Sequence, residues 1–195
     1  MITFIILISN KIQIKLISEF FCKIFIISEK NNIYSWKYFL TLWKFINNCN
    51  MKRLIPIACD HGGFAMKQYI IERLIESGYE VKDYGTFSEE SVDYPDYIHP
   101  LAQDIQDGVY PLGIILCGSG NGAQMTANKH PNVRAALCWN VELGKLARQH
   151  NDANILTLPG RFISNELGWE IAQAYLTTDF EGGRHANRVA KINLK

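Results

Sequence analysis

From Met51 onward, apolar positions alternate between two kinds of spacing. Five short runs read as strands: "RLIPIACD", "GYEVKDYG", "YPLGIILCG", "NVRAALCW" and "DANILTLPG". Between them the spacing changes to steps of three and four. Phe64, Tyr69, Ile70, Leu74 and Ile75 fit one helical face before Gly78 ends it. Ile98, Leu101, Ala102 and Ile105 fit a second before Gly108. Val141, Leu143, Leu146 and Ala147 form a third, and Leu167, Ile171, Ala174 and Tyr175 a fourth. Strict alternation of strand and helix builds βαβ units, whose right-handed crossovers give a parallel sheet covered on both faces. The prediction is an α/β fold. Residues 51–195 form a single doubly wound, Rossmann-like domain, with a five-stranded parallel sheet and helices on both faces.

In such a sheet, ligands bind beyond the carboxyl ends of the strands. The residues leaving each run are therefore the informative ones. They are "CDHGG" after the first, "CGSGNG" after the third, "CWN" after the fourth and "PGR" after the fifth. All four are expected to share one rim.

Residues 1–50 differ in composition from everything that follows. They lack Gly, Ala, Val, Pro, Asp, Arg and His, and Ile, Lys, Asn and Phe supply 30 of the 50 positions. Those four residues share codons built from A and T, so the stretch reads like translated AT-rich DNA. Met51 follows at once, and the expectation is that it is the true start. The alternative is a disordered or loosely helical extension. Its apolar runs are broken by Lys11, Lys15, Glu19, Lys23 and Glu29. None reaches the ~18 uninterrupted apolar residues of a spanning helix, and no small-residue cleavage site follows. N-terminal sequencing of the native protein should find Met51 first; an intact Met1 would overturn that expectation.

The whole chain carries 20 Lys and Arg against 19 Asp and Glu. So even a balance creates no global field towards nucleic acid or an acidic membrane, and neither is an expected partner. Five cysteines (Cys22, Cys49, Cys59, Cys117, Cys138) are an odd number with no CxxC spacing. That argues against a zinc site or a disulfide framework, and for a reducing cytoplasm.

The third strand ends in a cysteine followed by glycines spaced two apart. Cys117, Gly118, Ser119, Gly120, Asn121 and Gly122 open onto a helix. Backbone N–H groups there form an anion site and favour thiolate over thiol. A thiolate beside an anion hole suits removal of a proton followed by stabilisation of the oxyanion it leaves. The bland alternative is a buried strand-end cysteine beside a generic phosphate loop. The spacing is GxGxG, not GxGxxG, and it follows the wrong strand for a dinucleotide. No GK[ST] follows, which excludes a Walker loop.

Asp60 and His61 pair a carboxylate with an imidazole at the same rim, fit for proton relay or an anionic, hydroxylated ligand. A capping Asp and a surface His would read the same way. His150, Asn151 and Asp152 in "RQHNDAN" combine helix-end chemistry with candidate site groups. Arg184 and Arg188 stand four apart beside His185, a guanidinium pair suited to phosphate, or simply a solvated basic helix end. Arg161 in "PGRF" adds a third cation. No group has metal-ligand spacing, so no metal and no cofactor is expected.

Together "CDHGG", "YGTFSEESVDYPDY", "CGSGNG", "ANKHPNVRAALCW", "RQHNDAN" and "EGGRHANRV" resemble the type B ribose-5-phosphate isomerases. The likeness runs from about Met51 to Val189 in the right order and does not cover residues 1–50. It implies interconversion of ribose 5-phosphate and ribulose 5-phosphate through a cis-enediolate, without cofactor, in the non-oxidative pentose phosphate pathway.

By position, the resemblance makes Cys117 the base that moves a proton between C1 and C2. Ser119 would handle the proton on the carbonyl oxygen, and the backbone of Gly118, Gly120, Asn121 and Gly122 would hold the enediolate. His150 and Asp60 would assist ring opening, with Tyr94 and Asn151 placing the sugar. His61, Arg161, Arg184 and Arg188 would bind phosphate. Some members carry a glutamate base just beyond the glycines; here that position is Ala123. The resemblance also implies a homodimer or homotetramer with shared sites. The alternatives are an isomerase of allose or galactose 6-phosphate, or a non-catalytic sugar-phosphate-binding protein.

Overall fold

The computed structural model describes residues 54–192. The expectations placed on residues 1–50 lie outside the described residues. Strands and helices alternate as β1 (Leu54–Cys59), α1 (Phe64–Glu76), β2 (Glu80–Asp83), α2 (Tyr94–Gln106) and β3 (Gly113–Cys117). They continue as α3 (Asn121–Ala127), β4 (Ala135–Leu137), α4 (Val141–Asn151), β5 (Ile155–Pro159), α5 (Asn165–Thr177) and α6 (Arg184–Val189). Every strand pair is parallel, in the order β2-β1-β3-β5-β4.

The pleat sorts the core into two layers. Ile55, Ile57 and Cys59 of β1 face one side with Ile114 and Leu116 of β3. There they meet Met66, Ile70 and Leu74 of α1 and Ile171, Ala172 and Tyr175 of α5. Ala58, Ile115, Cys117 and Ile155 face the other side, against Ile98, Leu101, Ala102 and Ile105 of α2 and Ala123 and Ala127 of α3. Each fully buried Ile or Leu here contributes about 1.5–3 kcal/mol relative to its exposed state. Burial on both faces explains why the strands read as continuous apolar runs.

One helical face gains a residue over its sequence reading. Val141, Leu143 and Ala147 pack on the core as the spacing predicts, Leu146 is half-buried, and the sequence reading left out the buried Gly144. A Cβ on Gly144 would stand 3.0 Å from Ile171 Cγ2, so α4 and α5 approach closely there. No helix among the described residues is long and apolar enough to cross a membrane.

Candidate functional site

β1 and β3 lie side by side, with Cys59 paired to Leu116, so the chain leaves both strands at one edge. Asp60 N donates to Leu116 O at 3.3 Å. The Asp60 carboxylate is buried and caps the turn that follows, its Oδ1 accepting from Gly63 N at 3.1 Å. A Cβ on Gly62 would stand 2.9 Å from Gly118 Cα, so the two loops touch backbone to backbone. From β5, Gly160 N donates to Cys117 O and Arg161 N to Gly118 O, each at 3.0 Å. The Arg161 side chain then lies along Gly118, with Cδ 3.4 Å and Nε 3.6 Å from where a Cβ would be. The rim expected from the strand ends is therefore assembled.

Cys117 ends β3 and is 4% exposed. Its Sγ accepts from Gly120 N at 3.1 Å. Gly120 makes this possible with a left-handed φ of 79°, a conformation that costs an L side chain about 1–2 kcal/mol. A Cβ there would also collide with Leu137 Cδ1, which brings the fourth run to the same rim. Beside the thiol, Ser119 Oγ accepts from Asn121 N at 3.4 Å. Tyr94 opens α2 and lays its phenol ring over Gly122, where a Cβ would stand 2.6–3.0 Å from ring atoms. His61 Nδ1 accepts from Val92 N at 3.2 Å. In the neutral ring that leaves the proton on Nε2, free to meet an anion.

The other two described cysteines are sealed away. Burial pushes both the Cys59 and the Cys138 thiol up to about 12. Neither can supply thiolate at neutral pH.

Within one chain, His150, Asn151, Arg184 and Arg188 do not stand at this rim. His150 and Asn151 close α4 at the amino-terminal edge of the sheet, just before Asn154 O accepts from Gly113 N at 2.9 Å. Cys117 pairs with Pro159 at the far end of the same ladder. A five-residue parallel strand spans ~13 Å, so the two clusters occupy opposite edges of one protomer.

At that second edge, Glu181 N donates to Gln149 O at 3.0 Å and draws α6 alongside. The His185 ring stacks on His150 at 4.2 Å between centroids and 4° between planes. Desolvation, with the His150 imidazole and the Arg184 guanidinium beside it, holds His185 below the ordinary histidine range. Glu181 Oε2 stands 3.7 Å from His150 Nε2 and 3.9 Å from His185 Nε2.

Sequence reasoning missed the two arginines that shape this edge. Arg134 and Arg148 both bind Asp152, at 3.0 and 2.8 Å. Asp152 itself has a left-handed φ of 45°, which the paired guanidiniums hold in place. The i,i+4 spacing of Arg148 and Asp152 was the available signal. His150, Glu181 and His185 also form the one group among the described residues whose ligand atoms all lie within 4.8 Å. Arg184 Nε donates to His185 Nε2 at 3.3 Å, so that lone pair is already engaged.

Comparison with known proteins places these features in a family. A family model described as Ribose/Galactose Isomerase matches residues 55–192. Ribose-5-phosphate isomerase B of Escherichia coli is 42% identical over 138 residues, covering 71% of this chain and 93% of that protein. The crystal structure of a ribose 5-phosphate isomerase from Thermotoga maritima superposes with a TM-score of 0.70 at 48% identity, covering 72% of this chain and 97% of that one. Ribose-5-phosphate isomerase B of Mycoplasma genitalium, solved with ribulose 5-phosphate bound, gives 0.70 at 39% identity, covering 73% and 95%.

Proposed function

The chain belongs to the ribose/galactose isomerase family, and from that premise we propose that it interconverts ribose 5-phosphate and ribulose 5-phosphate with Cys117 as the base. The observation that carries the assignment is the Gly120 N–H held 3.1 Å from Cys117 Sγ, at the mouth of a loop built of backbone donors. Cys117 is also the described thiol at the rim, while Cys59 and Cys138 are locked as thiols.

The reaction begins with ring opening. The bond between C1 and the ring oxygen breaks, the C1 hydroxyl gives up its proton, and the ring oxygen receives one. His150 and Asp60 serve that exchange. The Cys117 thiolate then takes the proton from C2, and the freed electron pair forms the C1–C2 double bond. Negative charge moves onto the C1 oxygen, where Ser119 supplies a proton and the Gly118–Gly122 backbone N–H groups hold the enediolate. The C2 hydroxyl returns a proton to the Ser119 oxygen and the Cys117 thiol gives its proton to C1, which yields the ketose and restores both side chains. No electrons leave the sugar: Cys117 moves the proton between carbons and Ser119 the proton between oxygens.

His61, Arg161, Arg184 and Arg188 bind the phosphate, and Tyr94 and Asn151 place the sugar chain. This requires two copies, because the arginine pair and His150 stand at the opposite edge from Cys117. A homodimer closes each site by setting the α4–α6 edge of one protomer against the Cys117 rim of its partner. Exposed Met125, Trp139 and Phe162, at 65, 55 and 74% exposure, supply apolar contact for that interface. The same reading places the enzyme in the cytoplasm.

Turnover of ribose 5-phosphate by the full chain in EDTA, set against allose and galactose 6-phosphates, tests the substrate. The pentose should give the highest kcat/KM. A preference for either hexose would transfer the same chemistry to the longer sugar.

A further inference from the structure

We propose that Lys67 is a positioning residue for substrate capture: a buried ammonium that clamps the β2–α2 connection and thereby sets His61 and Tyr94 around the Cys117 loop. The proposal rests on the assignment of His61 and Tyr94 to the substrate.

Lys67 lies on α1, inside the molecule, with 0% of its side chain exposed. Removing an ammonium from water is expensive unless all its protons find acceptors. Here all three do. Nζ donates to Asp83 Oδ1 and Oδ2 at 2.7 Å each, and to Thr86 O at 2.7 Å. The Phe64 and Phe87 rings stand 5.7 and 5.2 Å from the charge. Replacing a buried ion pair with apolar residues of similar volume is often neutral for stability. A charge kept at such a point serves geometry.

The geometry leads to the rim. Asp83 Oδ1 accepts from Gly85 N at 2.8 Å. Cys59 N then donates to Gly85 O at 2.6 Å, and Thr86 N donates to Cys59 O at 2.8 Å. Residues 83–86 are thus tied to the last residue of β1, from which Asp60 and His61 emerge. Further along the same connection, Val92 N donates to His61 Nδ1, and Tyr94 reaches over Gly122. Tyr97 of the same helix seats its ring where a Cβ of Gly85 would be, 2.6 Å away. Lys67 touches no reacting atom. It acts through Thr86 and Gly85.

Two variants test this. Asp83→Asn keeps an acceptor for Gly85 N but takes the counter-charge from Lys67. Lys67→Met/Asp83→Asn removes both charges, keeps the acceptor for Gly85 N and releases Thr86 O. Both should raise KM for ribose 5-phosphate by roughly tenfold, as substrate binding supplies the ordering that one charged hydrogen bond gave before. Both should leave kcat within about threefold and the alkylation rate of Cys117 unchanged, because the thiol's own donor from Gly120 is untouched. The double variant should melt close to wild type. If it regains stability and KM returns with it, or if KM is unchanged in Asp83→Asn, Lys67 is a purely structural residue and the proposal is wrong. Wild-type turnover of the pentose is read in the same assay, so failure of the isomerase assignment would be seen separately.

Discussion

Replacing Cys117 with alanine should lower kcat for ribose 5-phosphate by at least ~100-fold, the contribution expected of a positioned general base. The fold should survive, because alanine fills most of the cysteine's space at the end of a strand that stays fully paired to β5. A thermal melt within a few degrees of wild type checks that. Iodoacetamide provides a second readout on the same variant. In the wild type, peptide mapping should find label at Cys117 and substrate should protect it. Cys59 and Cys138 should stay unlabelled, because burial pushes both thiols up to about 12. A variant that retained full rate would move the base elsewhere. Asp60, whose buried carboxylate shares the rim, would be the next residue to replace.

Mixing two inactive proteins should restore activity. Cys117→Ala lacks the base, and Arg184→Ala/Arg188→Ala lacks the phosphate fork. Each homodimer is dead by itself. If a site joins the Cys117 rim of one protomer to the α6 edge of its partner, a mixed dimer carries one intact site and one doubly damaged site. Random reassortment after joint unfolding and refolding should therefore recover about a quarter of wild-type activity, since half the dimers are mixed and half their sites intact. Native mass spectrometry reports whether mixed dimers have formed. Mixed dimers with no recovered activity would mean that base and arginine pair do not serve one site, and the shared-site assignment would fall.

Much of the rim was legible in the chain because parallel strands deliver their carboxyl ends to one edge. Asp60, His61, Cys117 to Gly122 and Arg161 follow strands directly, and the structure assembles them within hydrogen-bonding or van der Waals reach. Arg134 and Lys67 were not legible. Arg134 reaches Asp152 across 18 residues, and Lys67 reaches Asp83 across 16. A lysine inside an amphipathic helix reads as solvent-facing until its partners are placed. Gly144 was not legible either: it carries no hydrophobic signal, yet it lies buried where α4 meets Ile171 of α5.

The sequence by itself determined the alternation of strand and helix, and so the parallel sheet and the edge where Asp60, Cys117 and Arg161 come together. These follow from periodicity and from the chirality of βαβ units, both local properties of the chain. Only the tertiary structure decided which polar clusters meet. An 11-residue helix rises ~16 Å, so α4 runs from the rim to the opposite edge and leaves His150 there, stacked on His185. Whether two clusters form one site depends on distances across the fold, and those are set by packing.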